Sequence, residues 1–257
     1  MSLIIQVFQF FMSSLYKSFR EYFEIVIADK PELLEEAYRI RYQVLCIEKR
    51  LPGFDASLYA DGLETDSYDS HSSHVLLKYR PTGKYIGTVR LILFDPLNPN
   101  KPLPIEEHAQ LDPKLCDINK FSRQQIAEIS RFVVISQFNR RRAERRNLEK
   151  REAGVNIDRN DRRSTPHLAL VLAASVVRMC DHSDIRNWLS VMDPALNRLL
   201  SSFGLDLDPI GPTIEYHGLR QPYFMKVADA LDKMKKKNHE AWEVVTDHGK
   251  YCSFLAK

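Results

Sequence analysis

The sequence predicts an α/β sandwich in which helices cover a mixed, mostly antiparallel sheet. Strand-like and helical patterns alternate along the 257 residues without the regular strand–helix repeat of a barrel. The run RPTGK at 80–84 separates two apolar segments and predicts a hairpin turn. Residues 126–135 (IAEISRFVVI) are apolar on both faces, which is typical of a central strand.

The first half of the chain opens with apolar residues at roughly helical spacing. They predict an amphipathic helix over 1–22 that either packs on the domain or lies on a membrane surface. Residues 23–28 alternate as a strand, and Asp29 caps a helix that has Pro31 in its first turn and ends near residue 46. The predicted elements that follow are a loop at 47–73, hairpin strands at 75–79 and 85–94, and irregular chain with one short helix at 95–122.

The second half predicts two helices with recognisable ends. Thr165-Pro166 opens a helix that runs to about Cys180, and Asp193-Pro194 opens another that ends at Gly204. The remaining predicted elements are strands at 188–192 and 210–217 and a long helix after Pro222. We therefore expect a single domain over 23–257 behind the N-terminal helix.

Cysteine and histidine usage predicts no metal site. The four cysteines form no CxxC pair and have no histidine at ligand spacing, which argues for a reducing compartment and against structural zinc. His71 and His74 lie in a serine-rich loop, where we expect solvated side chains; metal binding is the alternative. No segment is long and apolar enough to span a membrane, so we expect a cytoplasmic protein with residues 1–22 as its potential membrane contact.

Charged residues interrupt apolar strands in two places. Glu128 and Arg131 lie within 126–135, and Arg90 lies within IGTVRLILF at 86–94. Unpaired charges there would cost several kcal/mol, so each needs a partner. The partners are expected in the loop GLETDSYD at 62–69, and the inner side of the first long helix adds a further arginine. The expected members of this buried network in a cleft are Arg41, Glu64, Asp66, Asp69, Arg90 and Arg131.

Charge is concentrated in residues 139–163, which hold ten Lys and Arg against five Asp and Glu in a chain of net charge +3. Such a basic segment on a slightly acidic body favours docking of an acidic partner, and a solvated surface loop is the alternative. The residues of the run are Arg140, Arg141, Arg142, Arg145 and Arg146.

The charged motifs, taken in order, resemble the GNAT-fold acyltransferases and, within them, the acyl-homoserine-lactone (autoinducer) synthases. They resemble most the autoinducer-synthase-like acyltransferases of PEP-CTERM/exosortase systems and the N-acyl amino acid synthases. The resemblance covers about 23–135, and 165–225 match mainly in pattern. The matching motifs are RYQVL with Arg41, ETDSYD, GTVRLIL with Arg90 and EISRF with Glu128 and Arg131.

Two departures from the family bear on the substrates. The resemblance implies an aromatic pair that shapes the S-adenosylmethionine site, but here the first position is Leu45 and no Trp lies between 47 and 60. Whether that molecule is a substrate stays open. The glycine-containing loop that cradles pyrophosphate in CoA-dependent relatives is replaced by SQFNRRRAERR. The resemblance therefore implies acyl carrier protein as the acyl donor and partner, and Arg140–Arg146 fits its docking.

Amide formation from a thioester requires a neutral amine. An α-amino group has a pKa near ~8, so a carboxylate base supplies only about 1.4 kcal/mol of deprotonation at neutral pH. Glu128 is the candidate base, with Ser130 beside it as a second candidate catalytic residue; pairing of Glu128 with an arginine is the alternative. A bulge in this strand would expose a backbone N–H to the thioester oxygen, and strict alternation keeps Glu128 and Arg131 on opposite faces.

Taken with these residues, the resemblance implies an N-acyltransferase that moves a long-chain fatty acyl group from acyl carrier protein to the amine of a small acceptor such as an amino acid. No bound cofactor is expected, because the acyl thioester of phosphopantetheine is a co-substrate. One alternative is an acyl-CoA-dependent GNAT acetyltransferase. Another is a non-catalytic module that binds nucleic acid or an acidic protein through its arginine-rich segment, although that segment lacks the interleaved aromatics of nucleic-acid sites.

Overall fold

The computed structural model describes residues 13–136, 138 and 167–252. The start of the predicted N-terminal helix, the arginine run at 140–146 and the predicted helix opening at 165–166 lie outside these ranges. In the described part the helices are α1 Ser14–Tyr22, α2 Pro31–Tyr42, α3 Pro104–His108, α4 Leu168–Ser183, α5 Pro194–Ser202, α6 Val227–Lys237 and α7 His239–Thr246. The strands are β1 Phe23–Ile27, β2 Ser72–Tyr79, β3 Lys84–Ile92, β4 Ile126–Val134, β5 Asn187–Met192, β6 Asp208–Pro209, β7 Ile214–Glu215 and β8 Leu219–Lys226.

The strands form one open sheet in the order β1-β2-β3-β4-β5-β8-β6, with β7 paired to β8. Every pairing is antiparallel except that of β4 with β5, which is parallel. This parallel contact spans three residue pairs, from Ile126 opposite Asn187 to Glu128 opposite Leu189. The predicted mixed, mostly antiparallel sheet is confirmed.

Helices cover both faces of this sheet. On one face α4 is buried over most of its length and packs on Val75, Val89 and Ala127, together with α1, α6 and α7. On the opposite face α2 packs on Leu76 and Val133. The N-terminal helix packs on the domain over its described part, because Leu15, Tyr16 and Phe19 are buried, and Tyr16 donates a hydrogen bond to Asp247 beyond the end of α7. Among the described residues, no helix has the length and apolar character needed to cross a bilayer.

Several predicted boundaries are correct because local chemistry sets them. Asp193 caps α5 by accepting the Ala195 N–H at 2.7 Å, and Gly204 follows that helix with a φ of +98°. The Asp29 cap is wrong, since Lys30 occupies the cap position and Pro31 opens α2. Beyond α2 the chain continues as a π-helical turn, Gln43–Glu48, which the periodicity did not reveal.

The prediction for residues 210–222 is wrong, and the predicted long C-terminal helix is divided into α6, which holds the lysines of 233–237, and α7. Residues 210–217 form no continuous strand: β7 holds two residues, and a turn at His217 and Gly218 leads into β8. Pro222 lies within β8 rather than before a helix. A proline fits there because the outer neighbours of β8 are the two-residue strands β6 and β7, and neither pairs with Pro222.

Candidate active site

Three arginines and three carboxylates form a closed ring at the α2 face of the sheet. Arg41 binds Glu64 and Asp69, Arg90 binds Asp69 and Asp66, and Arg131 binds Asp66 and Glu64. Each arginine thus joins two carboxylates, and each carboxylate joins two arginines. The network that the sequence predicted is present, and we call these six residues the charged ring.

The contacts of the charged ring are short and largely shielded from water. Arg41 and Glu64 are fully buried, and Arg90 is 1% exposed. Arg90 places Nη1 2.6 Å from Asp66 Oδ1 and 2.7 Å from Asp69 Oδ1, while Arg131 Nη2 lies 2.9 Å from both Glu64 Oε1 and Asp66 Oδ2. Such charge-assisted hydrogen bonds satisfy groups that could not otherwise be buried.

All three carboxylates of the charged ring are ionised at neutral pH. Burial alone would raise the pKa of Glu64, but the charges of Arg131 and Arg41 outweigh it and bring that pKa below its usual range. The pKa of Asp66 is lowered in the same way against burial by Arg90, and that of Asp69 by Arg41. With three positive and three negative groups, the charged ring has no net charge.

Local backbone geometry places these side chains together. The register between β3 and β4 shifts between Thr88 and Arg90, and Arg131 has a φ of +52°, so β4 contains the predicted bulge. In the acidic loop the Tyr68 N–H bonds to Asp66 Oδ1 at 2.9 Å, a local turn that directs the carboxylates inward. No hydrogen bond or ion pair joins Glu128 and Arg131 among the described residues, but the bulge brings both side chains to one cavity, so the opposite faces that strict alternation predicted are wrong.

His74 corrects a prediction, because it is buried rather than solvated. It lies in β2 with 2% exposure, and neither imidazole nitrogen makes a hydrogen bond within the described part of the chain. Its Nε2 is 3.6 Å from Asp69 Oδ1. Burial, together with the nearby Arg41 charge, lowers the pKa of His74 to about 4, so the imidazole is neutral at pH 7.

A gap opens in the sheet where β4 and β5 separate. Their pairing ends at Glu128 and Leu189, and the Ser190 hydroxyl donates to the Ile129 carbonyl at 3.3 Å at the point of separation. Beyond it, the β4 backbone groups directed toward β5 have no strand partner in the described part. An extended polar ligand can satisfy these groups by lying in the gap.

A cavity of about 580 Å³ passes through this gap, within the usual range for a small-molecule site. On the α2 face its lining contains the polar side chains Asp66, Arg90, Glu128, Ser130 and Arg131 beside apolar ones such as Leu45 and Phe54. On the α4 face its lining is apolar and consists of Ala173, Val176, Leu196, Leu200, Leu205 and Leu207. The cavity therefore connects a polar compartment to an apolar one across the sheet.

Glu128 lies on the wall of the cavity with 3% exposure. Its Oε2 accepts the backbone N–H of Ile105 at 2.8 Å. Burial raises the pKa of Glu128 from 4.5 to about 7, and the Ile105 hydrogen bond and the Arg90 and Arg131 charges offset only part of that effect. A carboxyl group with this pKa exchanges a proton readily at neutral pH.

Ser130 and two residues of the late hairpin, formed by β7, β8 and the turn between them, also line the polar compartment. The Ser130 hydroxyl accepts a hydrogen bond from Arg90 Nε at 2.9 Å, which fixes its position in the lining. Tyr216 and His217 also line the cavity, whereas the neighbouring Glu215 is exposed and does not. Burial and the Glu128 charge raise the pKa of Tyr216, so its hydroxyl stays protonated as a donor.

His217 is held in a strained backbone conformation beside the cavity. Its φ is +55°, and its Nδ1 lies 2.5 Å from the Pro52 carbonyl while its ring packs on Phe54 at 4.6 Å. Gly53 makes this approach possible, because a Cβ there would lie 2.7 Å from the imidazole. The hairpin tip is therefore fixed against residues 52–54.

Comparison of the chain with known protein families agrees with this geometry. The family model described as the acetyltransferase (GNAT) domain matches residues 40–149, a range that contains all six members of the charged ring and Glu128. The chain has a GNAT fold. No curated protein matches the chain in sequence.

Several solved structures resemble this chain over most of its length. BjaI, a CoA-dependent acyl-homoserine lactone synthase solved with SAM and isopentyl-CoA, is 19% identical with a TM-score of 0.54 over 88% of this chain and 98% of its own. The AHL synthase LasI is 19% identical with a TM-score of 0.52 over 79% and 89%. FeeM, an N-acyl amino acid synthase from uncultured soil microbes, is 13% identical with a TM-score of 0.50 over 82% and 93%. The domain match supports an acyltransferase, and the likeness to these solved structures shows the fold.

Part of the cavity lining was not predicted from the sequence. Lys49 and Arg220 line the cavity, yet nothing in their local sequence distinguishes them from ordinary surface cations. In the sequence, the leucines of the apolar compartment are indistinguishable from ordinary core residues. Hydrophobic periodicity is the same for a cavity wall and for a packed interior. The catalytic role of Glu128 and Ser130, and the docking role of the arginine run, stay predictions.

Proposed function

We propose that this GNAT-fold protein is a cytoplasmic N-acyltransferase that moves a long-chain fatty acyl group from acyl carrier protein to the amine of a small acceptor, such as an amino acid. The observation that carries the proposal is the cavity at the separated strands, which joins a buried carboxyl of pKa about 7 to an apolar compartment. The reaction needs both parts: a base for the amine and a dry site for the chain.

The apolar compartment accommodates the acyl chain. Its leucine and valine side chains remove methylene groups from water, and each buried methylene contributes about 0.8 kcal/mol. A long chain therefore gains more binding energy than an acetyl group. This favours a fatty acyl donor over acetyl-CoA.

The gap between β4 and β5 suits the thioester arm. The amide groups of a phosphopantetheine arm can hydrogen-bond to the unpartnered backbone groups of β4, as an added strand would. The arm then holds the thioester carbonyl beside the β4 bulge, where a backbone N–H can donate to the oxygen as negative charge develops on it.

Glu128 then acts as the general base. A pKa of about 7 lies close to that of an α-amino group, near ~8, so proton transfer through a water costs little. The amine nitrogen attacks the thioester carbon, the C–N bond forms and the C–S bond breaks. The thiolate that leaves takes up the proton that the amine lost, and Glu128 returns to its starting state.

The charged ring positions these groups without providing a free charge. Arg90 holds Ser130 through Nε and anchors Asp66, while Arg131 holds the bulged part of β4 next to the acidic loop. Because every ring charge is already compensated, we assign the charged ring to positioning rather than to proton transfer.

The choice of donor rests on the sequence, since CoA-dependent synthases also have this fold. The segment after β4 lacks the glycine loop that cradles pyrophosphate, and it carries the arginine run from Arg140 to Arg146. Arginines bind acidic surfaces through forked contacts and accelerate association.

Release of free thiol tests the donor. The purified protein, offered a panel of amino acids, should release thiol from long-chain acyl carrier protein and hardly from acetyl-CoA, with the N-acyl product identified by mass spectrometry. Faster turnover of acetyl-CoA would overturn the choice of donor and favour the acetyltransferase alternative. Absence of any thiol release with every donor and amine would overturn the acyltransferase itself.

Charge reversal tests the docking role of the arginine run. Changing Arg141 and Arg145 together to Glu should slow association with carrier protein, and the loss should shrink with salt because the Debye length is only ~8 Å at physiological ionic strength. Turnover of an acyl-pantetheine should not change. Equal loss with both donors would remove the run from docking.

A further inference from the structure

The cavity lining contains two cations that the charged ring does not neutralise. Apart from Arg90 and Arg131, the basic side chains of the lining are Lys49, His108, His217 and Arg220. His108 lies 3.8 Å from Glu107, and burial lowers the pKa of His217, so His217 is neutral at pH 7. Lys49 and Arg220 form no ion pair with any carboxylate of the described residues.

The tight turn between β7 and β8 positions Arg220 at the cavity. His217 and Gly218 have φ values of +55° and +94°, so the chain reverses tightly between β7 and β8 and Arg220 lies opposite Ile214. The Arg220 guanidinium lies directly beside this turn, since a Cβ at Gly218 would be in van der Waals contact with Nη1 at 3.4 Å.

Most of the hydrogen-bonding capacity of Arg220 is unused. Its Nη1 donates to the Leu219 carbonyl at 2.9 Å, and no other side-chain hydrogen bond from it occurs within the described ranges. A guanidinium has five N–H donors arranged to fit a carboxylate or phosphate. Lys49, exposed at the end of the π-helical turn, adds a second positive charge to the same cavity.

Because the charged ring has no net charge, Lys49 and Arg220 attract an anion in the cavity more strongly than the ring does. An incoming anion beside Arg131 also meets Asp66 and Glu64, so it gains little net Coulomb energy there. At Arg220 it meets no carboxylate partner. The position next to His217 also lies beside the polar compartment that holds Tyr216 and Glu128.

We propose that Arg220, assisted by Lys49, binds an anionic oxygen group, a carboxylate or a phosphate, carried by a substrate in the cavity. The inference rests on the proposed acyltransferase function and adds the position that recognises charge. A carboxylate would belong to the amine acceptor, which would then be an amino acid. A phosphate would belong to the phosphopantetheine arm of the donor.

Four probes distinguish these sources in calorimetric titrations: N-dodecanoylglycine, its uncharged primary amide, 4′-phosphopantetheine and pantetheine. Arg220→Gln should weaken one anionic probe about tenfold and leave its uncharged counterpart unchanged, because a hydrogen bond to a charged group is lost. Loss for N-dodecanoylglycine assigns the site to the acceptor, and loss for 4′-phosphopantetheine assigns it to the donor. Lys49→Gln should weaken the same probe by a smaller factor.

Arg198→Gln is the matched control, because Arg198 is exposed on α5 and does not line the cavity. Equal affinities of wild type and Arg220→Gln for both anionic probes would overturn the inference, as would equal weakening of charged and uncharged probes. The same variants are assayed for thiol release. If wild type transfers acyl groups while Arg220→Gln leaves all probe affinities and Michaelis constants unchanged, this inference fails and the proposed function stands.

Discussion

Glu128→Gln should make the protein more stable and less active, and the gain in stability should depend on pH. Glutamine is close in shape to glutamic acid, carries no charge and can still accept the Ile105 N–H. The substitution therefore removes the ionisation of a buried group and leaves the packing in place.

The magnitude follows from the pKa of Glu128. Its rise from 4.5 to about 7 means that the folded state binds the proton more tightly than the unfolded state, so wild-type stability falls as pH rises across that interval. One pKa unit is about 1.4 kcal/mol, so the ionised carboxylate destabilises the fold by about 3 kcal/mol above pH 7. The glutamine variant avoids this cost.

Urea unfolding of both proteins at pH 5 and pH 8 measures the effect. The stability of Glu128→Gln minus that of wild type should increase by about 2.5 kcal/mol between the two pH values, because part of the effect is already present at pH 5. His74 acts in the opposite direction, since its pKa of about 4 removes stability as pH falls below 6.5, but this contribution is common to both proteins and cancels. Glu21→Gln, at an exposed position of α1, is the control and should show no such increase.

Activity provides the second half of the test. Glu128→Gln should lower the chemical rate by about 10²–10⁴ if Glu128 is the base, and wild-type kcat/KM should rise with pH through about 7, where Glu128 ionises, toward the amine pKa near ~8. A stability difference that stays constant from pH 5 to pH 8 would refute the raised pKa. A pH-dependent gain in stability together with unchanged turnover would leave Glu128 buried and protonated but not catalytic.

Three further predictions concern the charged ring, the hairpin tip and the chain length. Arg90→Ala should lower the free energy of unfolding by about 3–5 kcal/mol in urea titration, because Asp66 and Asp69 would lose a buried partner; a wild-type unfolding curve would contradict the ring. Gly53→Ala should destabilise more than Gly83→Ala, since both have positive φ but only Gly53 faces the His217 imidazole, and equal calorimetric melting temperatures would refute that contact. Ala173→Leu should fill part of the apolar compartment and shift competition assays toward short acyl donors; an unchanged chain-length preference would place the acyl chain elsewhere.

The charged ring could be predicted because a buried charged side chain needs a partner of opposite charge. Arg90 and Arg131 lie in apolar strands, so each required carboxylates, and the acidic loop at 62–69 held the nearest supply. Sequence patterns cannot specify which arginine binds which carboxylate, because that depends on the bulge at Arg131 and on packing between distant elements.

The region around the late hairpin could not be predicted because its local sequence signals have another meaning in this fold. Pro222 and Gly218 are turn and helix-start signals in most settings, but the short outer strand beside β8 and the tight turn at His217 reverse their meaning. His74 likewise lies in a polar, serine-rich segment that indicates exposure, while strand pairing with Arg90 brings it into the interior.

The closed arrangement of the charged ring restricts how its sequence can drift. In an isolated ion pair, exchanging the two residues preserves the attraction. Here an exchange of Arg41 with Glu64 would place the new carboxylate against Asp69 and the new guanidinium against Arg131. Two repulsions would replace two attractions in a buried site, so no pairwise exchange is neutral. The six positions can change only together, and function-altering substitutions are therefore expected in the cavity lining around them.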